Sequence, residues 1–164
     1  SGILDISIVP ARVPEAIAEQ ARQMALKLAQ ALDYIGVLAV EFFVLQDNTL
    51  LINEIAPRPH NSGHYTIDAC LTSQFEQQVR AMCALPPGDT HLLSPVAMVN
   101  LLGDIWRDDE PAWDKLLSQP NAKLHLYGKK EARIGRKMGH FDVLAENADS
   151  ALQQAVALKD ALKQ

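Results

Sequence analysis

Apolar and polar residues alternate from position 3 to 9, with Asp5 and Ser7 on the polar side, and the pattern predicts a short strand. The period then lengthens. Ile17, Ala21, Met24, Ala25, Leu28 and Leu32 recur at helical spacing behind Pro14, predicting an amphipathic helix of about five turns that opens at the proline. Gly36 ends the linker that follows. Residues 37–44 read as a β-rich run broken by one acid, Glu41, and residues 50–56 as a second run broken by Asn53 and Glu54, with Asp47-Asn48 as the turn between them.

Residues 56–64 hold two prolines and a glycine without periodicity, so a loop carrying polar groups is expected there. Ser73 and Glu76 have the spacing of a capping box and predict a helix to about residue 85. Pro86-Pro87-Gly88-Asp89 is the strongest break in the chain and predicts a division into domains over 1–85 and 86–164. Further on, strands are expected near 97–102, 123–127 and 137–144, with a short helix near 111–117. A terminal helix capped by Asp149 should run to about residue 162.

Composition narrows the class. The chain has 164 residues, a formal charge of −5, 48% hydrophobic and 21% charged residues, the balance of a soluble globular protein. Its apolar runs, such as residues 37–40, fall far short of the ~20 residues of a membrane span. The acidic total argues against nucleic acid as a partner. Cys70 and Cys83 are too few for a disulfide scaffold and lack neighbours that would make a nucleophile, so core thiols in a reducing, cytoplasmic setting are expected. No secretory signal is visible, and a strand that begins almost at Ser1-Gly2, without an initiator Met, reads as part of something longer.

Charge is unevenly distributed. Lys123, Lys129, Lys130, Arg133, Arg136 and Lys137 face the single acid Glu131 between positions 123 and 140. A compact basic segment on an acidic protein suits an anionic small-molecule group better than a long polyanion. Gly128 and Gly135 punctuate it, and Arg136 can hold a phosphate monoester bidentately. The alternative is a solvated basic edge that discourages aggregation.

A hairpin centred between positions 47 and 48 sets Glu41 directly opposite Glu54, with Val37, Ala39 and Phe43 on the face of Glu41 and Ile52 on that of Glu54. Like charges facing each other across a ladder destabilise it. Protonation of one carboxyl, a cation side chain between them, a bridging divalent metal, or plain solvation would each resolve the repulsion. Carboxylate oxygens without nearby Cys or His favour Mg²⁺ over zinc, and Mg²⁺ commonly recruits substrate phosphate. In the loop that follows, Pro57 and Pro59 restrict the backbone presenting Arg58, a natural clamp for carboxylate, carbonate or phosphate, with His60 and Asn61 beside it. His91, His125 and His140 show no metal-ligand spacing.

The stretches Glu41-Phe42-Phe43-Val44, Asn53 to His64 (NEIAPRPHNSGH), Ser73-Gln74-Phe75-Glu76 and Gly135 to His140 (GRKMGH) together resemble the 5-(carboxyamino)imidazole ribonucleotide synthase family of ATP-grasp enzymes, over nearly the whole chain. The resemblance implies an α+β fold: the carboxy-terminal half of an ATP-grasp domain, an antiparallel sheet with helices, followed by a small β-rich domain with a terminal helix. It implies an ATP-dependent carbon–nitrogen ligase of de novo purine synthesis, in which ATP activates bicarbonate as carboxyphosphate and the amine of aminoimidazole ribonucleotide is carboxylated. Glu41 and Glu54 are then the Mg²⁺ or Mn²⁺ ligands at the phosphates of ATP. Arg58, His60 and Asn61 are the bicarbonate or carboxyphosphate site, and Lys129 and Arg136 act at the ribonucleotide phosphate or reacting centre.

Family members carry amino-terminal parts ahead of the matched region and are expected to form homodimers. The chain alone is therefore expected to be a fragment with negligible activity. Two alternatives stand beside this reading: a non-catalytic folding or dimerisation module, and an ATP-grasp ligase acting on another amine.

Overall fold

A computed structural model describes residues 2–106 and 110–162. In chain order the elements are β1 (Ile6–Val9), α1 (Glu15–Ala31), β2 (Ala39–Val44), β3 (Leu50–Ala56), α2 (Thr66–Ala69), α3 (Gln74–Met82), β4 (Val96–Leu102), α4 (Trp113–Leu117), β5 (Ala122–Leu126), β6 (Lys137–Leu144) and α5 (Ala148–Ala161). The fold is α+β, with an antiparallel four-stranded sheet in the order β1-β4-β6-β5 and a two-stranded sheet of β2 and β3.

Two compact units share these elements, and they do not divide at a single point near residue 86. One holds the residues up to Ala11, Asp68–Cys70 and those from Leu92 onward; the other holds Arg12–Ile67 and Leu71–His91. The cause is β1. It lies antiparallel to β4, with Ile6 opposite Val99 and Val9 opposite Val96, so the first strand belongs to the sheet built by the last two fifths of the chain.

In that sheet unit, β4 and β6 form the centre and are buried along almost their whole length. Ala97, Val99 and Leu101 of β4 and Phe141 and Val143 of β6 pack with Ala151 and Ala155 of α5, Leu162 and Leu116 of α4. Fully burying a large apolar side chain contributes roughly 1.5–3 kcal/mol, and the two alanines let the helix lie close to the strands. The cap of α5 is Asn147, whose Oδ1 accepts from Ser150 N at 2.8 Å. Asp149, expected as the cap, lies instead in the first turn, where its charge favours the helix N-terminus. The opposite sheet face is buried too, and it is mixed: Val96, Met98 and Met138 lie beside Asn100, His140 and Asp142, which are 2%, 1% and 0% exposed.

In the other unit, α1 starts behind Pro14 as expected but buries no residue completely, and Leu26 and Leu32 are exposed. Ser73 Oγ caps α3 by accepting from Glu76 N at 3.2 Å. That helix ends at Met82, three residues early, because Ala84 turns left-handed at φ 51° and Leu85 N bonds back to Arg80 O.

At Gly139 β6 runs close against β5. A Cβ at that position would lie 2.4 Å from His125 O and 3.2 Å from Leu126 Cα, both backbone atoms of the neighbouring strand. Gly139→Ala is expected to force the strands apart and to cost about 1–3 kcal/mol, read as a lower urea midpoint. An unchanged midpoint would show that β5 shifts outward freely.

Candidate functional site

The hairpin brings the two glutamates together by a route the sequence pattern does not reveal. Ala39 faces Ala56, Val40 faces Ile55 and Glu41 faces Glu54, whereas nearer the turn Phe42 faces Ile52 and Val44 faces Leu50. Asn53 is therefore an extra residue in β3, a bulge. The turn is correspondingly longer than the expected Asp47-Asn48 pair. Leu45 N donates to Thr49 O and Asn48 N to Leu45 O, both at 2.9 Å, with Asn48 at φ 66° and Asp47 Oδ1 accepting from Thr49 N at 3.0 Å. Were the turn-side register to continue, Glu41 would stand opposite Asn53; the bulge restores the carboxylate pair.

Glu41 is half-buried, while Glu54 is exposed together with Leu51, Ile52 and Ile55, so this end of the hairpin is open rather than enclosed by apolar neighbours. Asn53 Nδ2 donates to Glu41 Oε2 at 3.3 Å, and His60 Nδ1 stands 3.8 Å from Glu41 Oε1. Two accessible carboxylates with oxygen-only donor atoms fit a hard divalent cation that keeps waters and borrows further ligands from a phosphate.

The following loop is built around a residue that sequence reasoning did not single out. Gln74, 7% exposed at the start of α3, accepts from His60 N through Oε1 and donates through Nε2 to His60 O, each at 2.8 Å; its Nε2 also lies 2.8 Å from His64 Nδ1. One amide thus holds both backbone polar groups of His60. Gly63 makes room for it, since a Cβ there would sit 2.7 Å from Gln74 Oε1. His60 Nδ1 meets Ser62 Oγ at 2.8 Å and caps the single 3₁₀ turn Asn61–Gly63. Arg58 is exposed, its Nη1 donating to Pro59 O at 3.0 Å. Glu41, Glu54, Arg58, His60 and Asn61 all belong to one unit. The only advance signal for Gln74 was its place directly after the capping serine.

Lys129 and Arg136 belong to the sheet unit, on the loop between β5 and β6. Lys129 Nζ donates to Lys137 O at 2.6 Å and stands 5.5 Å from the centre of the Tyr127 ring. It lines a cavity of about 290 Å³ with Trp106, Leu126, Gly128, Lys130 and Met138. Arg136 Nη1 donates to Glu131 O at 3.0 Å, and Arg133 is paired with the Glu131 carboxylate. Gly128 and Gly135 take positive φ, 66° and 72°.

Two expectations need correcting. Cys83 is exposed rather than core, because it follows the last turn of α3; Cys70 is half-buried, and burial pushes its thiol up, which disfavours the thiolate. His125 and His140 show no ligand spacing along the chain, yet they are direct cross-strand partners.

Residues 1–75 match the ATP-grasp domain family, and residues 96–154 match the phosphoribosylaminoimidazole carboxylase C-terminal domain. The chain is 52% identical over 156 residues to N5-carboxyaminoimidazole ribonucleotide synthase of Bacillus subtilis, covering 94% of this chain and 40% of that protein. It belongs to the N5-carboxyaminoimidazole ribonucleotide synthase family of ATP-grasp proteins.

The family member from Brucella melitensis is 57% identical over 139 residues, covering 85% of this chain and 37% of its own length. Among solved structures, the Thermotoga maritima synthetase superposes with a TM-score of 0.90 at 45% identity, over 96% of this chain and 45% of that one. The Aspergillus clavatus synthase, solved in complex with ADP and 5-aminoimidazole ribonucleotide, gives 0.89 at 38% identity, over 99% of this chain and 44% of that one. The chain thus spans about two fifths of the length of the curated synthases it matches.

Gln74→Ala removes the anchor of the His60 loop. Loss of its buried hydrogen bonds should lower stability by about 1–3 kcal/mol and speed amide exchange at His60. Unaltered exchange there would mean that the loop holds its shape through the 3₁₀ turn alone.

Proposed function

We propose that this chain supplies the metal, bicarbonate and ribonucleotide-phosphate residues of an ATP-dependent synthase that carboxylates aminoimidazole ribonucleotide, acting within a polypeptide of its relatives' length. The supporting observation is the register pairing of Glu41 with Glu54 beside a loop whose His60 backbone is locked by Gln74.

In this reading Glu41 and Glu54 hold Mg²⁺, with Mn²⁺ as a substitute. Bound there, the ion supplies positive charge at the phosphates of ATP. The Arg58 guanidinium offers paired donors to bicarbonate and to the carboxyphosphate formed when bicarbonate oxygen attacks the γ-phosphorus and ADP leaves. His60, held by its own backbone, presents its ring at the same anion, and Asn61 adds a neutral amide that can donate or accept. Fixed donors of this kind act where charge builds up without having to reorganise. Arg136 and Lys129 are the residues offered to the ribonucleotide phosphate; in the reaction the exocyclic amine attacks the activated carboxyl carbon and phosphate departs. The division of labour corresponds to residues 1–85 for metal and bicarbonate and 86–164 for the basic loop.

In the longer polypeptide, Glu54→Gln should reduce ADP release dependent on bicarbonate and aminoimidazole ribonucleotide by at least about a hundredfold. Rates equal to the parent would remove Glu54 from the metal site. Arg136→Ala should raise KM for the ribonucleotide by about 10–100-fold, the worth of a charge-assisted hydrogen bond, with kcat less affected. An unchanged KM would place the phosphate elsewhere.

A further inference from the structure

A second group of ligand-type side chains lies on the buried mixed face of the four-stranded sheet. His125 of β5 and His140 of β6 are direct partners in the ladder, and Asp142 follows two residues along β6, so all three share one face. The imidazoles stack with ring centres 4.6 Å apart and planes 13° from parallel. Asp68, from the short segment that belongs to this unit, reaches His125 with Oδ2 at 2.6 Å from Nε2. His140 Nε2 stands 3.8 Å from Asp142 Oδ2, and Tyr127 Oη lies 2.9 Å from His140 Nδ1. One ligand atom from each of His125, His140 and Asp142 lies within 4.8 Å of the others.

Asp142 makes this more than a polar patch. It is 0% exposed, and neither carboxylate oxygen accepts a hydrogen bond among the described residues. The carboxyl beside it, Asp68, can offer a donor only if one of the two is protonated. A buried carboxylate without a donor is costly, and proteins resolve it with a proton or a cation.

We propose that His125, His140, Asp142 and Asp68 form a structural transition-metal site, with Zn²⁺ the favoured ion, in the interior of the sheet unit. With the cluster deprotonated, two neutral imidazoles and two carboxylates carry a charge of −2, which a divalent ion cancels. Two nitrogen and two oxygen donors are a set that zinc accepts with four-fold coordination, whereas Mg²⁺ and Ca²⁺ prefer oxygen alone. The Tyr127 hydroxyl at Nδ1 of His140 orients that ring with Nε2 toward Asp142, the outer support that metal-binding histidines commonly have. Binding would part His125 Nε2 from Asp68 Oδ2, now 2.6 Å apart, and draw His140 Nε2 toward Asp142 Oδ2, now 3.8 Å away.

The test uses the full chain, stripped with chelator and titrated with Co²⁺ and then Zn²⁺. The expected result is one equivalent of Co²⁺ with the visible bands of tetrahedral cobalt, displaced by Zn²⁺, and a melting temperature that rises with zinc. Asp142→Asn and His125→Gln should each weaken binding at least about tenfold, as loss of a metal ligand must when outer supports alone are worth that much. Asp142→Asn removes a buried charge, so a cooperative melt without metal checks that this variant folds. Glu41→Gln/His60→Asn, in the other unit, should bind as the parent does. A cooperatively folded parent without tetrahedral bands would overturn the site and leave the proton as the occupant of the cluster. Unchanged affinity in Asp142→Asn and His125→Gln, or its loss in Glu41→Gln/His60→Asn, would overturn it as well.

Discussion

Both faces of the β4–β6 pair are out of water, and that constraint governs the sheet unit. On one side it is met with hydrocarbon: Val99, Leu101, Phe141 and Val143 pack beneath α5, and small residues on the helix allow close approach. On the other side the same strands carry Asn100, His140 and Asp142, so burial there has to be met with partners. Asn100 Nδ2 donates to Leu4 O at 2.9 Å, tying the segment ahead of β1 to the sheet centre. The alternation of β6 therefore separates an apolar interior from a mixed one, not an interior from solvent.

The other unit works by different means. Its hairpin is short and exposes several apolar side chains, and α1 has no completely buried residue, so precision comes from local hydrogen bonding instead of a dense core. Gln78 illustrates this: its Oε1 accepts from Val37 N at 2.7 Å just ahead of β2, as Gln74 fixes the loop after β3. Two glutamines one helical turn apart on α3 thus hold the two ends of the hairpin. Glu54 and Arg58 stay at the surface, where a charged ligand can reach them without full desolvation, while Glu41 and His60 are partly buried beside them.

Much of this was legible from residue patterns because it is local. Strand and helix periods, the Ser73 cap and the last strand emerge close to their observed limits. The Glu41–Glu54 pairing was also anticipated, although the turn is longer and β3 contains a bulge, and these two departures compensate at the site. What stayed hidden was non-local. Alternation identifies β1 as a strand but carries no address for its partner. His125 and His140 are far apart by any ligand-spacing rule and become neighbours only once the β5–β6 register is known. Gln74 reads as an ordinary helix residue until the loop it grips is seen, and Asn147 and Asp149 differ as caps by two residues that both favour the role.

The pairing of β1 with β4 bears on how the molecule is made. Ile6 leaves the ribosome well before its partner Val99, which follows only after the segments that build the hairpin and α3. Those intervening contacts are mostly short-range and can form while synthesis continues. The four-stranded sheet cannot be completed until β6 has emerged and joined β4. Until β4 emerges β1 is an unpaired strand, and until β6 joins β4 the pair keeps an open edge, so this interval is when the nascent chain is most open to wrong partners. The order of the sheet thus sets a schedule in which β1 must wait for β4 and β6, made some ninety residues or more later.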